Sequence, residues 1–410
     1  PTIVNVANLG ENTRLTVFYS EPVELASATN ASNYSLSHGA QVISAQWAGD
    51  DQAVLLETSP LDSGVTYTLT VNDVRDRAAT PNAILPDSQA MFSLAITPLD
   101  VRYVIGASEP AGPSSRRTAL AITEIMYHPT NRVDGRNLEY IEIYNSNPWA
   151  EDLSGYRLVG DIGYTFPPGT SIPARSYRVI APKPADIEAV YSISGVLGPL
   201  TNSTPGELDN VLPNGGGAIQ LLDELGAILL EVEYDDELHW PVSPDGAGHS
   251  LVLARPSYGE GSPKAWAASD RVGGSPGSVE TASDNPWRTV LINEVLAHAD
   301  SPLEDYIELF NYSGSAVDLS GCSLSDNPGV ERFVIPPGTS IPAMGRLVFT
   351  QTQLGFGLGG DGETIFLKAA DGSRVIDALR FDAQENGIAL GRYPDGAPKF
   401  RRLSERTPGE

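Results

Sequence analysis

The sequence predicts an all-β protein: three tandem Ig-like β-sandwiches joined by short linkers. Two observations carry this expectation. The chain holds 40 Gly and 32 Pro among 410 residues, with Asp-Gly and Pro-Gly turns between short alternating strands, so helical periodicity is almost absent. In addition, one pattern occurs twice. Residues 121–174 contain AITEIMYH, LEYIEIYN, DLSGYRL and FPPGTSIPA, and residues 291–343 contain LINEVLAH, EDYIELFN, DLSGCSL and IPPGTSIPA. The shared order and near-identical spacing predict two copies of one small β-domain.

Residues 1–97 form the first expected domain. TRLTVFYS, NYSLS, QVISAQWA, AVLLETS, TYTLTVNDV and AMFSLAI read as six or seven strands at the spacing of an Ig-like sandwich. The stretches FYSEPVELASATNASNYSLS and SPLDSGVTYTLTVNDVRDRAATP resemble bacterial Ig-like domains, which recur in surface proteins. Residues 98–118 lose periodicity and gather Pro, Gly and Ser, as a linker does. The duplicates follow at 119–280 and 289–410, with 281–288 as a second linker. Residues 183–191, which include PADIEAV, read as the one short helical turn.

Each duplicate resembles the lamin tail domain, an Ig-like sandwich that is also found in bacterial exported proteins. The residues that carry the resemblance are ITEI, YIEIYN, DLSGYRL, YTFPPGTSIPARSYRVI and GGAIQLLDELGAIL in the first. In the second they are INEV, YIELFN, DLSGCSL, FVIPPGTSIPAMGRLVF and GETIFLKAADGSRVIDALRF. Both copies close alike, on SPGS and on TPGE. The first carries an insertion near 181–214, the natural place for binding specific to that copy. In PPGTSIPA, Gly169 and Gly338 permit positive φ, and Ile172 and Ile341 are expected to plug a sandwich end.

Composition limits the function classes. A formal charge of −26 with only four lysines argues against nucleic acid, which needs clustered Lys and Arg. No apolar run approaches membrane-spanning length, so membrane insertion is not expected. The acidity reads mainly as self-repulsion that favours solubility. Cys322, the single cysteine, excludes an intrachain disulfide and reads as a buried, inert thiol. The chain opens on Pro1 and carries no leader-like segment, and we read it as a processed or excised piece of a longer polypeptide.

Candidate chemistry centres on a carboxylate–imidazole pair in each copy. Glu124 and His128 stand four apart, as do Glu294 and His298, so each pair would share a strand face. Asp134 and Glu139 follow in one copy, and Asp300, Glu304 and Asp305 in the other. Glu124, His128, Glu294, His298 and Asp305 are therefore the candidate metal ligands, with Ca²⁺ favoured by the oxygen donors and Zn²⁺ by imidazole. Against this, Ile122–Glu124–Met126 and Ile292–Glu294–Leu296 each read as one face, on which the Glu simply accepts hydrogen bonds.

Glu142 and Glu308 lie between core-facing residues and are expected to point outward into solvent. Asp245, Asp361, Asp371 and Asp395 precede Gly and fit hairpin turns better than calcium loops. His249 and Ser250 adjoin on a strand, so they face opposite ways and do not form a catalytic pair. The sequence holds no P-loop or H-E-x-x-H.

The expected function is therefore non-catalytic: a structural or adhesive segment of a secreted or cell-surface bacterial protein that associates with itself or with other surface proteins. The alternative is a set of carbohydrate- or matrix-binding accessory modules of a larger exported enzyme. Trp149, Trp240 and Trp266 are the residues to inspect for a glycan platform.

Overall fold

The computed structural model describes residues 1–7, 13–48, 51–62, 65–78, 80–92, 109–202, 211–237, 239–281, 285–397, 399–403 and 405–409, together with the backbone of Ser93. Most of the linker expected at 98–118, the tip of the insertion at 203–210, and residues 282–284 of the second linker lie outside these. The fold is nearly all β. It divides into two compact units, Pro1–Leu99 with Arg392–Lys399, and Asp100–Gly391 with Phe400–Glu410.

In the first unit a four-stranded sheet runs in the order Ile3–Ala7, Arg14–Tyr19, Ala53–Thr58, Val42–Trp47. A three-stranded sheet runs Tyr34–Leu36, Thr66–Val71, Ser88–Ser93. Period-two alternation sends Leu15, Val17 and Tyr19 inward to meet Val54, Leu56, Tyr67, Leu69 and Val71. Tyr19 donates its hydroxyl to Tyr34 (3.0 Å), which donates to the Ala28 carbonyl (2.6 Å), so the polar tips of both buried rings are satisfied.

The second unit holds both duplicates, built alike. In the first, a five-stranded sheet runs Tyr177–Ile180, Tyr140–Asn145, Leu120–Met126, Leu251–Leu253, Trp266–Ala268. In the second it runs Arg346–Thr350, Tyr306–Asn311, Val290–Leu296, Leu390–Arg392, Phe400–Arg402. An opposing sheet, containing Gly217–Leu222 and Ile228–Tyr234 or Gly362–Lys368 and Val375–Asp382, closes each core. Gly169 and Gly338 adopt φ of 84° and 82°. Ile172 and Ile341 then plug their cores, fully buried.

A buried asparagine fixes each of these ends. The Asn145 side-chain amide donates to the carbonyls of Trp149, Ile172 and Pro173, and that of Asn311 to those of Ser315, Ile341 and Pro342. Asn311 is thus an internal strut.

One feature departs from a simple sandwich. Every residue of Leu120–Met126 and Tyr140–Asn145 is buried, and likewise of Val290–Leu296 and Tyr306–Asn311. A sandwich sheet ordinarily leaves its outer face wet. Here the outer face is covered. In the first duplicate the described part of the insertion does this, since helix Pro184–Tyr191 lays Ile187 onto Met126, Tyr140 and Val179. In the second, Leu296 and Tyr306 pack with Ala389 and Leu403.

Cys322 lies in the core of the second duplicate, where burial pushes its thiol up to about 11. A thiol–disulfide reagent at pH 8 should leave Cys322 unmodified in the native protein and label it stoichiometrically in denaturant; rapid native labelling would contradict this packing.

Candidate functional site

Glu124, Glu142, Glu294, Glu308, His128, Asp245 and His249 gather in two constructions, a carboxylate clasp present in each duplicate and a polar junction between the duplicates.

The clasp begins with a β-bulge. Pairing slips between Ile122 and Glu124 against Tyr140–Asn145, and between Ile292 and Glu294 against Tyr306–Asn311. Inserting one residue reverses the facing of everything after it. Ile122 and Ile125 consequently both enter the core, whereas Glu124 and Met126 turn to the outer face. The single-face reading of Ile122, Glu124 and Met126 is corrected by this slip, and the second copy repeats it. Register then sets Glu124 opposite Glu142 and Glu294 opposite Glu308. Glu142 and Glu308 do face away from the core, but they are buried rather than solvated, at 2% and 0% exposure.

Two facing buried carboxylates demand donors, and the closing segment of each copy supplies them. In the first, the amide of Ser275 donates to Glu124 (3.0 Å) and that of Gly277 to Glu142 (2.7 Å). In the second, the amide of Thr407 donates to Glu294 (3.2 Å) and that of Gly409 to Glu308 (2.7 Å). Side chains complete the set. The Tyr140 hydroxyl reaches Glu124 at 2.6 Å, and Ser250 also donates to Glu124. Thr123 donates to Glu142 (2.7 Å), Asn293 to Glu308 (2.8 Å), and Tyr306 and Thr407 to Glu294. Gly274 is confined by this packing, since a Cβ there would stand 2.1 Å from Glu124 Oε1.

The first pair is electrostatically loaded. Burial, then the negative charge of Glu280, pushes Glu124 up to about 7 despite the hydrogen bonds from Ser250, Tyr140 and Ser275. Burial and the neighbouring Glu124 raise Glu142 well above the ordinary carboxylate range, and burial raises Glu308 and Glu280.

The junction between duplicates is also buried. His249 Nδ1 donates to the Ser269 carbonyl (2.7 Å), while Nε2 accepts from the Val375 amide of the other duplicate (2.9 Å). That pattern requires the neutral ring. Burial above all, with help from the Arg374 charge, depresses His249 to about 4 against the opposing pull of the Ser269 carbonyl. Beside it, buried Asp270 pairs with Arg288 and with Arg374 (3.2 Å). The Val272 amide donates to the Ser373 carbonyl (2.9 Å), and Ala247, Phe366 and Val375 form a small apolar contact.

Asp245 accepts from His128 Nδ1 (2.7 Å) and from Arg380 of the second duplicate (2.7 Å). Burial works to raise its carboxyl, but those two hydrogen bonds outweigh it and hold Asp245 below its ordinary value.

The five candidate metal ligands are thus dispersed. Glu124 and Glu294 serve the clasps, and His128 holds Asp245 at the junction. His298 Nδ1 meets the Gln384 carbonyl (3.0 Å), and Asp305 accepts from the Leu358 amide (3.2 Å). Each strand ends at Met126 or Leu296, before its His is reached, and this separates each Glu from its His. Among the described residues, no group of three or more His, Cys, Asp or Glu is arranged to hold a metal ion.

The tryptophans do not form a platform. Trp240 and Trp266 lie in the first duplicate's core with ring centroids 6.3 Å apart, while Trp149 is exposed. No helix among the described residues is long and apolar enough to cross a membrane.

These arrangements generate two expectations. A carboxyl raised on folding stabilises fully below its unfolded value near 4.5, and that contribution is lost as pH rises through about 7. Between pH 4.5 and about 7 the first duplicate should therefore lose stability progressively, and Glu124→Gln should flatten the decline in urea titrations; equal slopes for both proteins would refute it. His249 has the opposite sign. Its contribution is complete above the unfolded value of 6.5 and is lost as pH falls towards about 4. His249→Ala should cost about 2–4 kcal/mol at pH 7 by opening a cavity and orphaning the Val375 amide. A loss under 1 kcal/mol, read from the same titrations, would contradict the role given to this ring.

The comparisons agree with this architecture. The chain matches the Lamin Tail Domain family over residues 113–236 and 284–382, and the bacterial Ig-like domain family over residues 3–94. No curated protein matches it. Among solved structures, the N-terminal part of the bacterial S-layer protein SbsC is 16% identical, with 43% of this chain and 39% of that chain covered at a TM-score of 0.21. The S-layer protein rSbsC(31-844) is 10% identical, with 98% of this chain and 59% of that chain covered at a TM-score of 0.20. This chain thus spans less than two thirds of either, and superpositions so loose carry no argument about its role. The family matches, which take in more than half of the sequence, do: the chain belongs to the lamin tail domain family and carries a bacterial Ig-like domain ahead of its two copies.

Proposed function

We propose that this chain is a non-catalytic structural segment of a secreted or cell-surface bacterial protein, in which the paired lamin tail domains act as one stiff spacer. The observation that carries the reading is the fate of the chemically capable side chains. Glu124, Glu142, Glu294, Glu308, His128, His249, Asp245 and Asp270 all spend their polar atoms on bonds within a domain or across the junction. A raised carboxyl in a cleft is ordinarily a candidate acid. Here the donors already seated on Glu124 and Glu142 would have to be displaced before any substrate reached them. The bacterial Ig-like domain and the strong negative charge suit an exported, surface-displayed chain.

Such a spacer should unfold cooperatively. In calorimetry of the full chain the two lamin tail domains should melt in one transition, and Asp270→Ala should split it into two. Separate melting of the two domains in the unaltered chain would sink the stiff-spacer reading. Self-association is the finer form of the proposal. Light scattering should give a mass that rises with concentration above 43.6 kDa and does not respond to chelator. A strict monomer would limit the role to spacing within a larger polypeptide. A midpoint raised by millimolar Ca²⁺ would return Glu124, His128, Glu294, His298 and Asp305 to consideration as ligands.

A further inference from the structure

The two clasps share an acceptor and differ in what surrounds it, which shows what the acceptor reads. Ser275-Pro276-Gly277 and Thr407-Pro408-Gly409 dock onto Glu124/Glu142 and Glu294/Glu308 through the same two backbone amides. The hydroxyl takes part in each copy: Thr407 Oγ1 donates to Glu294 at 2.7 Å, whereas Ser275 Oγ donates to Glu280 beside the clasp and lies 3.4 Å from Glu124. Flanking residues are unrelated, Gly273-Gly274 in one copy and Glu405-Arg406 in the other.

We propose that each facing glutamate pair is a binding site for a Ser/Thr-Pro-Gly peptide segment, filled in cis by the chain's own closing segment and able to take an equivalent segment in trans. Each position of the tripeptide has a physical reason. The first residue must present its amide to one carboxylate and its hydroxyl to that carboxylate, as Thr407 does, or to the one beside it, as Ser275 does. Proline needs no acceptor for an N–H and keeps the backbone extended between the two anchors. Glycine must follow because Gly277 and Gly409 sit at φ of 82° and 85°, where a side chain is strained. In the second domain an open groove of about 1090 Å³, lined by Leu296, Tyr306, Leu403, Glu405, Arg406 and Pro408, leaves room for a peptide's flanks beside the seated segment.

Two experiments on the full chain test this. In the first, residues 405–409 (ERTPG) are replaced by the sequence of 273–277 (GGSPG). The exchanged chain should keep its unfolding midpoint within about 2 °C, while Thr407→Ala/Gly409→Ala should lower it by about 4 °C or more. In the second, the acetylated, amidated peptide ERTPGE is titrated calorimetrically into the Thr407→Ala/Gly409→Ala chain. Saturable binding is expected, weakened at least tenfold when Glu294→Gln and Glu308→Gln are added. An exchanged chain as unstable as the alanine variant, no peptide binding, or binding indifferent to the glutamines would each overturn the proposal. Where circular dichroism shows the alanine variant unfolded, the exchanged chain decides alone, by its midpoint against the unaltered protein.

Discussion

A pair of glutamates that face each other on the outer side of a sheet constrains the rest of each lamin tail domain. Carboxylates taken out of water are costly unless several donors meet them. The fold places two such groups in cross-strand register, twice. Their backbone donors come from far along the sequence, 101 to 151 residues away. The closing segment is therefore part of the domain's interior. It turns an outer sheet face that would otherwise be wet into a second, polar core.

The consequence extends past the clasp. In the first domain the strand that leads into the clasp segment, Trp266–Ala268, is followed by Ser269 and Asp270, which meet His249 and Arg374 at the junction. Asp270 also donates its amide to Glu280 (2.7 Å), the third carboxylate beside the clasp. One stretch of chain thus seals its own domain and docks the next. Coupling of this kind suits the proposed spacer role.

Much of this was legible in the sequence, for physical reasons. Period-two alternation and turn residues reveal strands, and the PPGTSIPA blocks reveal their own backbone demands at Gly169 and Gly338. PADIEAV, a run of helix formers with a leading proline, forms helix Pro184–Tyr191. What stayed hidden followed from the bulge. A one-residue slip has no compositional mark, yet it decides that Glu124 leaves the face of Ile122. Cover was hidden too. Glu142 and Glu308 alternate like exposed residues, and only the distant SPG and TPG segments bury them. The signal that could have exposed this was present, since both copies close on Ser/Thr-Pro-Gly and both carry the paired glutamates. Trp240 and Trp266 misled in the opposite sense, because an isolated aromatic in sequence does not declare whether it faces a ligand or a core.

Amide hydrogen exchange at Ser275, Gly277, Thr407 and Gly409 tests the account most directly. These four N–H groups are the ones given to the carboxylates. If the clasp is part of the interior, they exchange as slowly as core amides such as those of Ile125 and Val295. Exchange at the rate of an exposed loop would contradict it, and the glutamate pairs would then need another explanation for their burial.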